Sequence, residues 1–300
     1  METKYHNPVL LDRSVADLII NPDGVYVDVT FGGGGHSKKI LKALSDKGRL
    51  FAFDQDQDAA ENVLSDSRFE LIQANFKDLK RYLKFYGVKE VDGILADFGV
   101  SSHQFDAEKR GFSTRFEGRL DMRMDQTLAL SAYEVVNDYS KEELISIMKL
   151  YGEVKGAHKI VAAILNHRKE ERIETTTDLI ALIKPMIPER FLNKILAQVF
   201  QAIRIEVNQE LEVIKLFLEQ TAEVLKPQGR LVCISYHSLE DRLVKRFIRE
   251  GVFEGAAEQD FFGNRFTPLK KVGGLVIPDE EEIKQNSRAR SAKLRTAEKK

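Results

Sequence analysis

Dense apolar runs alternate with amphipathic stretches through the first hundred residues. Val25–Val29, Leu50–Phe53, Phe69–Ile72 and Val91–Ala96 read as strands, and Gly35–Leu44 and Asp58–Leu64 as helices. The runs are continuous rather than alternating, which predicts strands covered on both faces in a parallel sheet with right-handed crossovers. The pattern breaks after Asp97. From about Phe105 to Val207 no strand is expected; Ala132–Tyr139, Lys141–Tyr151, Gly156–Arg168, Thr177–Pro185 and Arg190–Ile205 have helical periodicity. Ser140 with Glu143 forms a capping-box signature, and Thr176 or Thr177 is placed to cap the helix that follows it. The α/β pattern then resumes with a helix over Gln209–Leu225, a turn at Lys226–Gly229 and a strand over Arg230–Tyr236. Val272–Ile277 and Ala289–Arg295 are candidates to pair at the sheet edge. The expectation is a discontinuous α/β domain, 1–105 and 208–300, carrying a helical insertion over 106–207.

Composition narrows the class without naming an activity. Apolar residues make up 43% and charged residues 31% of 300, the profile of a soluble globular protein. No apolar run approaches the roughly 18 residues of a membrane span, and residues 1–6 lack the profile of a signal peptide. The one cysteine, Cys233, lies in an apolar run and fits a buried thiol in a reducing cytoplasm. A net charge of −1 argues against a generally basic nucleic-acid binder. The end of the chain is uneven: Lys284–Lys300 carries seven Lys and Arg against one acid, Glu298. That stretch reads either as a solvated terminus or as a local phosphate contact.

The candidate chemistry lies where strands end. Asp28, Asp54 and Asp97 close three apolar runs, and Thr30-Phe31-Gly32-Gly33-Gly34-Gly35-His36 follows the first. Glycines let backbone approach a ligand, and carboxylates accept its hydroxyl and amine protons, as in nucleoside pockets at the C-terminal edge of an open α/β sheet. A dinucleotide such as NAD would use the same turn, with Asp54 on its ribose. Asp28 before the turn, in Asp-x-Thr-x-Gly, and the further acid Asp97 favour S-adenosylmethionine. Asp97-Phe98-Gly99 also resembles a kinase triplet, but the His-Arg-Asp loop and the strand lysine are absent. His237-Ser238-Leu239-Glu240-Asp241-Arg242 follows the fifth strand and reads either as an active-site loop or as a helix cap. His36, His103 and His237 have no metal-ligand spacing, so no metal is expected. The arginines of Gly118–Asp125 either meet phosphate or pair with Asp121 and Asp125.

Together these segments resemble the bacterial 16S rRNA cytosine-N4 methyltransferases, the MraW/RsmH family. The resemblance begins at His6-Asn7-Pro8 and runs through DVTFGGGGHS, DFGVSS, Arg110–Ser113, Leu120–Asp125, Phe200–Ile205, His237–Arg242 and Arg288–Arg295. It implies a class I (Rossmann-like) methyltransferase domain with an inserted helical domain that recognises RNA. The implied cofactor is S-adenosyl-L-methionine, contacted by Gly34, Gly35, His36, Asp54, Phe76, Asp97 and Gln104. The implied substrate is N4 of a decoding-centre cytosine in 16S rRNA of the small ribosomal subunit. Asp97 and His237 are the candidate catalytic residues. Arg119, Arg123, Arg204, Arg242, Arg288 and Arg290 are the candidate RNA contacts. The chain departs from the family pattern at His103 and Arg119, where proline is common, at Val199, where threonine is common, and at Tyr236, where phenylalanine is common. A non-catalytic assembly factor with a retained nucleoside pocket is the alternative of a different class. The sequence leaves monomer and homodimer open and gives no membrane partner.

Overall fold

The computed structural model describes residues 8–300 apart from Asn264; residues 1–7, including His6 and Asn7 of the first motif, lie outside the described residues. Two compact units emerge, Met1–Gly99 with Leu211–Lys300, and Val100–Glu210. The first begins with α1 (Leu11–Leu18), β1 (Val25–Asp28), α2 (Gly35–Ala43), β2 (Arg49–Asp54), β3 (Phe69–Gln73), α3 (Leu79–Phe85) and β4 (Val91–Asp97). Tyr26, Val27, Phe51, Phe53, Ile94 and Leu95 are fully buried, which is why these strands lack polar alternation. The expected helix over Asp58–Leu64 is instead a short 3-10 turn, Gln57–Asn62.

The helical unit contains α4 (Ser102–Asp106), α5 (Ala132–Asp138), α6 (Lys141–Leu150), α7 (Ala157–His167), α8 (Thr176–Ile183) and α9 (Glu189–Asn208). Its own core gathers Leu120, Val136, Leu144, Ile160, Ile164, Leu179, Val199 and Ile203. Ser140 and Glu143 close the expected capping box. The cap of α8 is Thr175, not Thr176 or Thr177: its hydroxyl accepts from Asp178 N, and Asp178 accepts from Thr175 N.

The chain then returns through α10 (Glu210–Val224), β5 (Leu225–Ser235), α11 (Ser238–Glu250), β6 (Leu269–Val276), α12 (Glu280–Gln285) and β7 (Lys293–Lys299). The strand order is β3-β2-β1-β4-β5-β7-β6. β1 to β5 pair in parallel, and β7 runs antiparallel to both neighbours. This is the class I methyltransferase arrangement, and it differs from the 3-2-1-4-5-6 sheet of dinucleotide enzymes by the reversed strand inserted beside β5. The Lys226–Gly229 turn survives as a bulge: pairing jumps from Val91↔Leu225 to Gly93↔Arg230, and Gln228 takes a φ of 67°.

The basic end of the chain is a structural strand. Arg295 binds Asp241 through both nitrogens and Arg230 pairs with Glu298, so the charges are answered inside the unit. Ala289 and Leu294 are fully buried. Ending the chain after Asn286 removes β7 and leaves β5 and β6 without their shared partner. The expected result is loss of a cooperative thermal transition followed by circular dichroism. Retention of the parent transition would mean that the segment is the solvated terminus its composition suggests.

Candidate active site

The carboxyl ends of β3, β2, β1, β4 and β5 lie side by side, and Asp28, Thr30, Asp97 and Tyr236 form a hydrogen-bonded chain across the last three. Asp28 is fully buried. Its carboxylate accepts from Thr30 N, Thr30 Oγ1 and Ser37 Oγ at 3.1, 3.4 and 2.7 Å. The Thr30 hydroxyl oxygen in turn accepts from Asp97 N at 2.7 Å. Asp28 therefore shapes the turn and ties β1 to β4 instead of facing a ligand, while burial holds its pKa above the usual carboxylate value.

The turn after β1 needs glycine twice. Gly34 has a φ of 73° at the start of α2, a left-handed conformation that side chains disfavour. A Cβ on Gly35 would lie 2.2 Å from Pro8 Cγ. Gly32 N donates to Asp54 Oδ2 at 2.7 Å, and Asp56 N donates to Asp54 Oδ1 at 2.9 Å. Each Asp54 oxygen thus keeps a lone pair beyond its backbone bond. Burial outweighs these two donors and raises Asp54 to a pKa of about 6.

Asp97, at the end of β4, keeps 20% of its side chain exposed. Tyr236 Oη donates to Asp97 Oδ1 at 2.8 Å, and His36 Nδ1 lies 3.8 Å from Oδ2. Burial raises its pKa to about 6, while His36 and the tyrosine hydrogen bond pull it down. Burial and the neighbouring Asp97 charge keep the Tyr236 phenol protonated and so a donor. The sequence noted Tyr236 only as a departure from the family pattern. His36 is buried, with Nε2 3.3 Å from Val9 O.

Phe76, half-buried after β3, packs edge-on against Phe217 and at 6.2 Å from Phe98. Asn75 beside it donates to Gln55 Oε1 at 2.6 Å. Phe98 is a core residue at 3% exposure. Gln104 lies in the helical unit, where its side chain accepts from Ser101 N and closes the capping box of α4.

His237 is the N-cap of α11. Its Nδ1 accepts from Glu240 N at 3.4 Å, while Glu240 Oε2 accepts from Tyr236 N and His237 N. Nε2 lies 3.1 Å from Glu240 Oε1. Nδ1 is thus engaged at the helix start, while Nε2 is buried and makes no hydrogen bond among the described residues. A cavity of about 330 Å³ is lined by Tyr236, His237, Ser238, Pro278, Arg290 and Lys293, and it brings His237 and Arg290 together.

The other arginines separate by environment. Arg204 forms a two-point ion pair with Glu210 at 2.7 and 3.0 Å, with 14% of its side chain exposed. Arg123 binds Asp121 through two nitrogens and donates to Leu128 O. Asn208 fixes the same loop through Met124 N and Met122 O. Both arginines are paired with carboxylates inside the helical unit. Arg119, Arg242 and Arg290 are exposed, and Arg288 is half-buried. Among the described residues no helix is long and apolar enough to cross a membrane, and burial pushes the Cys233 thiol pKa up.

Comparison with known proteins gives one consistent likeness. The model of the MraW methylase family matches residues 3–300. The chain is 62% identical to ribosomal RNA small subunit methyltransferase H of Christiangramia forsetii, covering 99% of this chain and 98% of that one. Identity to the Flavobacterium johnsoniae protein of the same name is 60%, at 99% and 98% coverage. The Bacteroides fragilis protein of that name is 53% identical, at 100% and 99% coverage.

Proposed function

Because the chain belongs to the MraW methylase family, we propose that it transfers a methyl group from S-adenosylmethionine to small-subunit ribosomal RNA, at N4 of a decoding-centre cytosine. The observation that carries this reading is the pair of half-buried carboxylates, Asp54 and Asp97, at the ends of β2 and β4, the two parallel strands on either side of β1 and its glycine turn. The nucleoside half of the cofactor fits these residues. Asp54 has acceptor capacity left for ribose hydroxyls, the left-handed Gly34 sets the path of the turn beside it, and the Phe76 ring supplies an apolar face for adenine.

The cofactor, when bound, supplies an electrophilic methyl on a sulfonium sulfur. The cytosine amine is a weak nucleophile because its lone pair is delocalised into the ring. Asp97 accepts an N–H hydrogen bond from that amine and fixes its approach. Tyr236 occupies Oδ1, so Oδ2 is the oxygen left for this bond. Accepting that methyl would make the amine nitrogen acidic. Asp97, with a pKa of about 6, accepts more strongly as that charge develops, which is stabilisation realised in the transition state. The target cytosine must be unstacked or single-stranded to present its amine. The cavity beside Tyr236, with the Arg290 and Lys293 cations on its wall, suits the flanking phosphate.

The test is direct. Calorimetric titration with S-adenosylmethionine and with NAD should give binding to the first only. Isotope-labelled methyl should then enter the RNA of unmodified small subunits. Cofactor binding without transfer would favour a non-catalytic assembly factor, and binding of NAD alone would favour an oxidoreductase.

A further inference from the structure

We infer that the groove between α5 and α7 binds RNA backbone phosphates, an assignment that rests on small-subunit RNA being the substrate. The helical unit as a whole is near neutral, but its charge is concentrated. From Val154 to Lys169 there is no acid, while Lys155, His158, Lys159, His167, Arg168 and Lys169 all fall in that stretch. His158, Lys159 and Lys169 are exposed.

The same segment forms one wall of a groove of about 780 Å³, whose lining includes Lys141, Asn166, Arg168, Lys169 and Arg172, with Asp138 as its carboxylate among the described residues. The cations are held in place. Arg168 donates to Val136 O and Tyr139 O at 2.9 and 2.7 Å, so it also answers the carbonyl end of α5, which would otherwise repel an anion. Arg172 pairs with Asp138 and lies 5.8 Å from the Tyr133 ring centroid. Lys169 Nζ donates to Asn166 Oδ1 at 3.2 Å. With Asp138 balanced by Arg172, the charges of Lys141, Lys169 and Arg168 face no carboxylate on the lining. α7 spans about 16 Å at 1.5 Å per residue, a length that takes several consecutive phosphates and not a single small anion. Arg123 and Arg204, which stand in the family-like motifs, are by contrast already neutralised by Asp121 and Glu210.

The experiment compares the full chain with its Lys141→Gln/Lys169→Gln variant, using a 16S rRNA transcript as the probe across a range of salt. Removing two phosphate contacts should lower the slope of log affinity against log salt by about one to two units. Affinity at low salt should fall at least about fivefold, with cofactor affinity unchanged. Both side chains are exposed and have no carboxylate partner among the described residues, so the variant should keep the parent's melting transition, and Lys169→Gln alone should give about half of the slope change. A parent-like slope and affinity in folded variants would overturn the assignment while leaving the methyltransferase reading intact. Failure of the parent chain to bind the transcript would overturn both.

Discussion

Asp97→Asn should abolish most methyl transfer while leaving the protein at least as stable as the parent. The amide keeps an oxygen for Tyr236 Oη but puts an NH2 where the target amine itself donates. Single-turnover transfer at saturating cofactor should fall by at least about 100-fold, the scale of losing a positioned acceptor. The stability half follows from the sign of the pKa shift. Burial raises the folded-state pKa of Asp97 from 3.8 to about 6. The folded state therefore holds the proton more tightly. Stability from this group is lost as pH rises between those values, and the penalty is fully present above about pH 6. At pH 7.5 the neutral amide removes a penalty of up to about 3 kcal/mol, so the thermal midpoint should not drop. Tyr236→Phe is the companion. Loss of the donor disfavours ionised Asp97, so the acidic limb of the pH–rate profile should move up. Activity at pH 6 should fall by about tenfold, with a smaller change at pH 8. A parent-like rate for Asp97→Asn would remove Asp97 from the reacting centre.

Asp54→Ala should weaken S-adenosylmethionine binding by about 10- to 150-fold, the worth of charge-assisted hydrogen bonds of roughly 1.5–3 kcal/mol. Part of that loss is indirect, because Gly32 N and Asp56 N lose the acceptor that orders the turn. In the parent chain, affinity should decline as pH falls through about 6, where Asp54 takes up a proton and loses acceptor capacity. Calorimetric titration at pH 5 and 7.5 checks the slope. Equal affinities for the folded variant and the parent would place the ribose elsewhere.

Much of the α/β unit is legible because its central strands are buried on both faces and read as continuous apolar runs. β7 is legible only in part: the sequence suggests an edge strand at Ala289–Arg295, whereas the strand runs Lys293–Lys299 between β5 and β6. Lys293, Arg295 and Glu298 look solvated in isolation, and only their partners Asp241, Arg230 and Lys270 show that they belong to a sheet. α1 and α3 span only eight and seven residues, and α11 is hidden in the sequence because its first turn, His237–Arg242, reads as a cluster of polar groups. The positions of Asp54 and Asp97 follow from their places at strand ends. The groups that tune them do not, since Tyr236 reaches Asp97 across 139 residues and Thr30 across 67. The cap made by His237 could not be told from an active-site loop in the sequence, because its bonds to Glu240 depend on the backbone path. The arginines of the two family-like motifs were ambiguous until their carboxylate partners were placed.

The central claim is the identity of the acceptor atom. Unmodified small subunits would be treated with the enzyme and labelled S-adenosylmethionine, and the 16S rRNA digested to nucleosides for mass spectrometry. The account predicts label in N4-methylcytidine at one decoding-centre position, lost in Asp97→Asn. Label in 5-methylcytidine, on a ribose hydroxyl or at a purine would contradict it.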